Sequence, residues 1–252
     1  MSATSKDPSE IEQRLRKQVA AVTLLLNDED IIGYSGHITT LLPGRDEFLI
    51  QPIDQSRAAL EPEQLLVCGL DGKARGATNQ RRPPSEVFIH SEIYRVRPDV
   101  KAVAHFHHDL TTTFSLVEDI PLRPVKNHAV RWESGIPTHP DPSHVSTAAL
   151  GRNVAATLGP HHCLLIRAHG EVIVAESLPA LLVDCVHFVE NAVALYRAAT
   201  LGKVKPLTEA EMDAFRHDFI RDRHVDKLWQ YYVGRGFARG LYPQSWEPAL
   251  MQ

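Results

Sequence analysis

Few cysteines, no long apolar run and no excess of either charge characterise this 252-residue sequence. The three cysteines, Cys68, Cys163 and Cys185, are odd in number and far apart. They make neither a disulfide framework nor a CxxC zinc pair, which points to a reducing compartment and a cytoplasmic protein. No apolar stretch approaches the ~20 residues of a membrane-crossing helix, and the polar start Met1 to Glu10 lacks the basic end and apolar centre of a signal peptide. With 27 Lys and Arg against 31 Asp and Glu, the formal net charge of −4 gives no ground for a nucleic-acid or anionic-membrane partner. Repeats, low-complexity segments and Gly/Ser/Pro linkers are missing, so the sequence predicts one domain over residues 1–252. An apolar fraction of 43% is enough to build its core. What is abundant is histidine: 14 residues.

The hydrophobic pattern predicts an alternation of helices and short strands. Ser9 and Glu12 form a capping box ahead of Ile11, Leu15, Val19, Val22 and Leu26, spaced for an amphipathic first helix. Glu47 to Ile50 and Leu65 to Cys68, bounded by Pro43-Gly44 and Asp71-Gly72, have the pattern of strands between turns. Ser85 is placed to cap a helix that Pro98 stops, and Val100 to Phe106 follows as an apolar strand. A proline-dotted connection from Pro121 to Pro142 leads to a helix capped by Ser143 and ended at Leu158-Gly159. Cys163 to Ile166 forms a buried strand. Ser177 caps a long helix to Gly202, and a Thr208–Glu211 capping box opens a helical, aromatic-rich extension over 203–252. The strict βαβ rhythm of a nucleotide-binding sheet is missing, which predicts an α/β fold with a three-layer mixed β-sheet flanked by helices.

The sharpest chemical signal is His105-Phe106-His107 in the predicted strand. Side chains two apart on a strand share a face, so both imidazoles can reach one metal ion. A packed or exposed histidine pair is the alternative. His169 follows the next buried strand as Ala168-His169-Gly170, where glycine lets backbone and ligand approach closely. Three imidazoles with an open position describe a catalytic metal site. Glu86, just upstream, is placed to be a fourth ligand or a proton carrier.

Pro84-Ser-Glu86-Val-Phe-Ile-His90, Arg97-Pro-Asp-Val100, Ala102-Val-Ala-His105-Phe-His107 and Leu164-Leu-Ile-Arg-Ala-His169-Gly170 resemble the class II aldolase/adducin family in order and spacing. The resemblance runs from the first helix to about Gly202. It implies that His105, His107 and His169 bind one divalent metal ion per subunit (Zn, Mn, Fe or Co), that Glu86 is the acid/base, and that a mixed sheet covered by helices assembles as a homotetramer. The site then lies at a subunit boundary. The complete ligand set favours an enzyme over a non-catalytic, adducin-like interaction module.

The family's sugar-phosphate aldolases hold their phosphate with a glycine–asparagine turn, a Thr/Ser–Gly loop and a double serine. This chain instead has Gly36-His37-Ile-Thr39, Gln51-Pro52-Ile53-Asp54 and Pro84-Ser85-Glu86. An imidazole replaces the amide, Asp54 brings a charge that repels a dianion, and one serine is missing. The glycine–histidine turn resembles the branch that decarboxylates hydroxylated aromatic or pyridine carboxylic acids. The expectation is a metal-dependent carbon–carbon lyase acting on a small acidic substrate. Alternatives are a retro-aldolase on an unphosphorylated hydroxy-carbonyl compound and a non-haem Fe(II) oxygenase. In the lyase reading Gly36, His37, Ser85 and Arg82 contact substrate, and Glu86, His37 and His128 handle protons. A solvated loop pair is the alternative for Arg81 and Arg82. His128 lies near where aldolases supply a tyrosine to a neighbouring subunit's site. His139 and His144 have the character of polar loop residues, and His187 that of a packed helical one. The C-terminal aromatics Trp229, Tyr231, Tyr232 and Trp246 predict docking onto the core or a subunit, or a lid.

Overall fold

The computed structural model describes residues 7–76 and 80–251; the polar start Met1 to Lys6 therefore lies outside the described residues. In chain order the elements are α1 (Pro8–Asp28), β1 (His37–Leu41), β2 (Glu47–Ile50), β3 (Leu66–Gly69), α2 (Val87–Val96), β4 (Ala102–Phe106), α3 (Asp109–Thr113), β5 (Thr138–His139), α4 (Ala148–Leu158), β6 (Cys163–Ile166), β7 (Gly170–Ala175), α5 (Leu178–Leu201), α6 (Glu209–Asp218), α7 (Arg221–Ala238) and α8 (Glu247–Leu250). One seven-stranded sheet runs β3-β2-β1-β4-β7-β6-β5. Every pairing is antiparallel except β5–β6, so the sheet is mixed, as the sequence predicts.

Strand alternation divides the core in two. Ile38, Ala102, Ala104, Phe106 and Ile173 face the layer of α1 and α5. Val103, Val172 and Val174 face α2 and α4, together with Ile89, Ile93 and Val154 of those helices. His105 falls between these on the α2 side because it sits two residues after Val103 on β4.

Several helix starts differ from the sequence reading. The cap of α1 is Asp7, whose carboxylate accepts from the Ser9 N–H, and Pro8 takes the first turn; Ser9 is already inside the helix. Glu86, not Ser85, holds the N-cap position of α2. Thr147 caps α4, its hydroxyl accepting from the Leu150 N–H, so Ser143 lies in the loop before it. The Ser177 cap and the Thr208–Glu211 capping box stand where the sequence places them. The proline-dotted connection contains β5 and a 3-10 helix over Asn127–Trp132, which the sequence does not reveal. By length and composition α5 could cross a membrane, because its polar residues are sparse rather than absent; it is instead mostly buried at the centre of the fold. Trp229, Tyr232, Tyr242 and Trp246 of the C-terminal extension are buried in the α1/α5 layer of the core, and the Trp229 indole N–H donates to the Leu250 carbonyl at 2.6 Å.

Candidate metal and acid–base centre

The centre forms where β1, β4 and the β6–β7 turn meet the start of α2. His37 and His105 are direct partners across the antiparallel β1–β4 ladder, on the same face of the sheet. His107 follows one residue past β4, and His169 stands in the turn before β7. Two backbone features bring these segments together. Gly36 has φ +101°, and a Cβ there would come within 2.8 Å of the His105 carbonyl oxygen. At Gly170 a Cβ would collide with the Phe106 carbonyl and lie 2.7 Å from His107 Cδ2. The close approach expected of Gly170 is thus present, and it serves β4 directly.

Glu86, His105, His107 and His169 each offer a ligand atom within 4.8 Å of the others. Glu86 is 4% exposed; its Oε2 lies 3.4 Å from His105 Nε2 and 3.8 Å from His37 Nε2, and its Oε1 lies 3.3 Å from His169 Nε2. The Val145 N–H donates to Oε1 at 3.2 Å. The His105 Nδ1–H donates to the Glu171 carbonyl at 2.9 Å, which leaves the Nε2 lone pair facing the cluster. That Nε2 is buried without a hydrogen-bond partner, the state of a ligand atom that a cation would satisfy.

Protonation suits the same role. Burial opposes the charge on Glu86, yet the surrounding imidazoles of His105, His169 and His37 hold its carboxyl well below the usual range. Burial, then the neighbouring His105 and His169, lowers His107 to about 3. His37 is pushed well below its ordinary value by burial and by His90 and His105. Near neutrality, Glu86 is a carboxylate and the rings of His37 and His107 are free bases. Metal ligands must be deprotonated, and the donors fit a divalent cation.

The other predicted contacts fall into two groups. Gly36 and His37 border the cluster. The Gly36 carbonyl accepts from Gln51 Nε2 and from Nε of the buried Arg57, both at 2.9 Å, which fixes the turn. Ser85 is exposed beside it, 3.4 Å from His144 Nε2. Arg82 is exposed, and its carbonyl accepts the Ile53 N–H at 2.9 Å. His128 is not brought to Glu86 within the chain. It stacks on His187 of α5 with centroids 3.9 Å apart and planes 13° from parallel, and Glu190 completes a second group of close donors. The Lys126 ammonium lies 3.0 Å from Glu190 Oε2 and pairs with that carboxylate. Within the chain, His128 therefore packs against α5 rather than against the Glu86 cluster.

Two histidines gain neighbours that the sequence reading did not give them. His144 is 58% exposed, with Nε2 3.8 Å from Glu86 Oε2 and its ring stacked toward His169; no periodicity in its loop signals this. His90 is fully buried behind His37. Its spacing of four from Glu86, one helical turn, is a signal that was available. His139, read as a polar loop residue, lies on β5 and bonds Thr157 at 2.9 Å.

Residues 17–196 match the family model described as Class II Aldolase and Adducin N-terminal domain. The chain is 25% identical over 177 residues to a 3-oxo-tetronate 4-phosphate decarboxylase of Escherichia coli (strain K12), covering 68% of this chain and 81% of the relative. It is also 25% identical over 192 residues to a 3,4-dihydroxyphthalate decarboxylase of Rhodococcus jostii (strain RHA1), covering 72% and 78%. Among solved structures, an L-fuculose 1-phosphate aldolase from Glaciozyma antarctica PI12 superposes with a TM-score of 0.81 at 17% identity over 95% of each chain, a likeness of fold.

Proposed function

This chain belongs to the class II aldolase and adducin N-terminal domain family, and on that premise we propose that it is a divalent-metal-dependent carbon–carbon lyase, decarboxylating a small hydroxylated aromatic or heteroaromatic carboxylic acid. The observation that carries the reading is the Glu86, His105, His107 and His169 cluster with the neutral imidazole of His37 against it. The similarity to a dihydroxyphthalate decarboxylase supports the substrate class; the similarity to a decarboxylase named for a phosphorylated substrate makes phosphate a variable to test.

His105, His107 and His169, with Glu86, would hold the cation, which supplies Lewis acidity to the oxygens beside the breaking bond. His37 faces the same space and can hydrogen-bond the departing carboxylate or the ring oxygen. Loss of CO₂ leaves an electron pair on the ring carbon, and that carbon must take a proton. Glu86, being ionised, serves by holding a water; the water's proton goes to carbon, and its hydroxide combines with CO₂ as bicarbonate. Ser85 and His144 lie beside Glu86 and can donate to an acidic substrate, and Arg82 would add positive charge for it. Assembly as a cytoplasmic homotetramer belongs to the same proposal, with His128 serving a neighbouring subunit's site. The exposed apolar side chains Leu116, Val117, Tyr196 and Leu201 support association, and sedimentation measures it.

The test is incubation of the metal-loaded protein with ortho-hydroxy aromatic and pyridine carboxylic acids and with phosphorylated hydroxy-carbonyl acids. Release of CO₂ from the aromatic set without oxygen uptake is expected. An aldehyde product would instead establish an aldolase, oxygen uptake an oxygenase, and turnover of only the phosphorylated set would overturn the substrate class.

A further inference from the structure

Behind the centre runs an unbroken line of buried polar groups. His37 Nδ1 is 2.8 Å from His90 Nε2, His90 Nδ1 is 2.8 Å from Thr39 Oγ1, and Thr39 Oγ1 is 2.8 Å from the Tyr94 hydroxyl. All four residues are at most 5% exposed. We propose that His90 is a positioning residue that fixes the ring of His37 with its proton on Nε2, so that His37 meets substrate as a neutral hydrogen-bond donor. The proposal deepens the reading of His37 as a substrate contact and rests on it for its catalytic consequence.

Hydrogen counting leads to this assignment. A neutral imidazole has one N–H and one acceptor nitrogen, and each hydroxyl has one hydrogen. The hydrogens must therefore run in one direction along the line. In one direction Tyr94 donates to Thr39, Thr39 to His90 Nδ1, and His90 Nε2–H to His37 Nδ1. His37 then carries Nε2–H, 3.8 Å from Glu86 Oε2. In the other, His37 donates to His90, His90 donates to Thr39, and the Thr39 hydroxyl donates to Tyr94 at 2.8 Å or turns to the Val103 carbonyl at 3.4 Å. That leaves a bare His37 lone pair facing the Glu86 carboxylate. Two arguments select the first. An N–H toward a carboxylate is attractive where a lone pair is repulsive, in a site dry enough to make the difference count. The first direction also places every hydrogen behind His37 on a 2.8 Å contact, whereas the other either leaves the Tyr94 hydroxyl hydrogen without an acceptor on the line or sends that of Thr39 over 3.4 Å.

His90 reaches both neighbours because β1 places His37 and Thr39 on one face, two residues apart, while α2 carries His90 and Tyr94 one turn apart. The line contains no charged group. It sets a tautomer and a ring plane rather than a charge, in the way that outer hydrogen bonds orient histidines at catalytic centres.

The test uses protein labelled with ¹⁵N in its histidine rings, His37 being assigned by difference against His37→Gln. Long-range ¹H–¹⁵N correlation without substrate reads the tautomer. The expected result is protonated Nε2 and bare Nδ1 at His37. His90→Gln keeps an amide donor within reach of His37 and should preserve the pattern and most of kcat. His90→Asn keeps only the contact with Thr39; it should mix the His37 tautomers and lower kcat by about tenfold or more with KM little changed. Wild-type His37 protonated on Nδ1, or an identical His37 signature in both variants, overturns the proposal. Because the wild-type measurement needs neither substrate nor turnover, failure of the decarboxylase reading would leave it standing and be seen separately.

Discussion

Glu171 and Glu86 are both buried carboxyls, and their surroundings drive them in opposite directions. Among the described residues Glu171 has no cation beside it. Burial raises its pKa from 4.5 to about 8, although the Thr111 hydroxyl, the His108 N–H and the Thr112 hydroxyl all donate to it. The native state thus keeps a proton that the unfolded chain releases above about pH 4.5. Stability from this group is complete below that pH and is lost as pH rises toward 8. Glu171→Gln removes the penalty and leaves the backbone carbonyl that orients His105. Its Tm relative to wild type should climb between pH 5 and pH 8.5, and a constant difference would refute the account. Glu86, among imidazoles, stays ionised instead. Glu86→Gln should keep metal on the three histidines while turnover falls by roughly 100-fold or more, as for a lost proton-handling group. Metal analysis with kcat checks this, and near-wild-type rates would remove Glu86 from its role.

Between elements, the centre depends on how closely β4 and β7 approach. At Gly170 any side chain must displace the Phe106 carbonyl or the ring of His107. Gly170→Ala should therefore lower stability by about 1–3 kcal/mol, the usual scale of overpacking, and weaken metal binding along with it. Thermal melts and metal titration of the same sample measure both effects; intact affinity would show that the spacing is dispensable. The C-terminal helices are held differently. Asp184 of α5 is buried and receives Arg131 Nε at 3.0 Å and both terminal nitrogens of Arg221, at 3.0 and 2.8 Å, at the start of α7. Asp184→Ala would leave both guanidiniums with Glu176 as their remaining carboxylate, a loss smaller than the roughly 3–5 kcal/mol of a fully broken buried pair. Proteolysis should then begin near residue 221, and uniform resistance would argue against this anchor.

For the whole molecule, buried histidines set the acid limit. Burial first, then neighbouring charge, lowers His90 and His107 to about 3, His128 and His162 to about 4 and His187 to about 2. Each stays neutral in the fold, while the unfolded chain protonates it below about 6.5. The stability they contribute is present above that value and is lost as pH falls toward 4. Tm should drop steeply between pH 6.5 and 4.5, and chelation at neutral pH should lower it further if the centre is loaded. A flat acid limb would contradict the burial of these rings.

Local chemistry alone determined a good deal: the His105-x-His107 strand, Gly170 beside His169, the caps at Ser177 and Thr208, and the mixed sheet between helices. These follow from periodicity and short-range hydrogen bonding, which act over a few residues. Other features depend on segments far apart in the chain. The register that sets His37 against His105 is one, and the hydrogen-bonded line from Tyr94 to His37 through His90 is another. The loop that carries His144 to Glu86 and the stack that occupies His128 are of the same kind. Tertiary structure decided those, because burial and packing across the sheet fix which of 14 histidines meet, and no spacing within a segment encodes that.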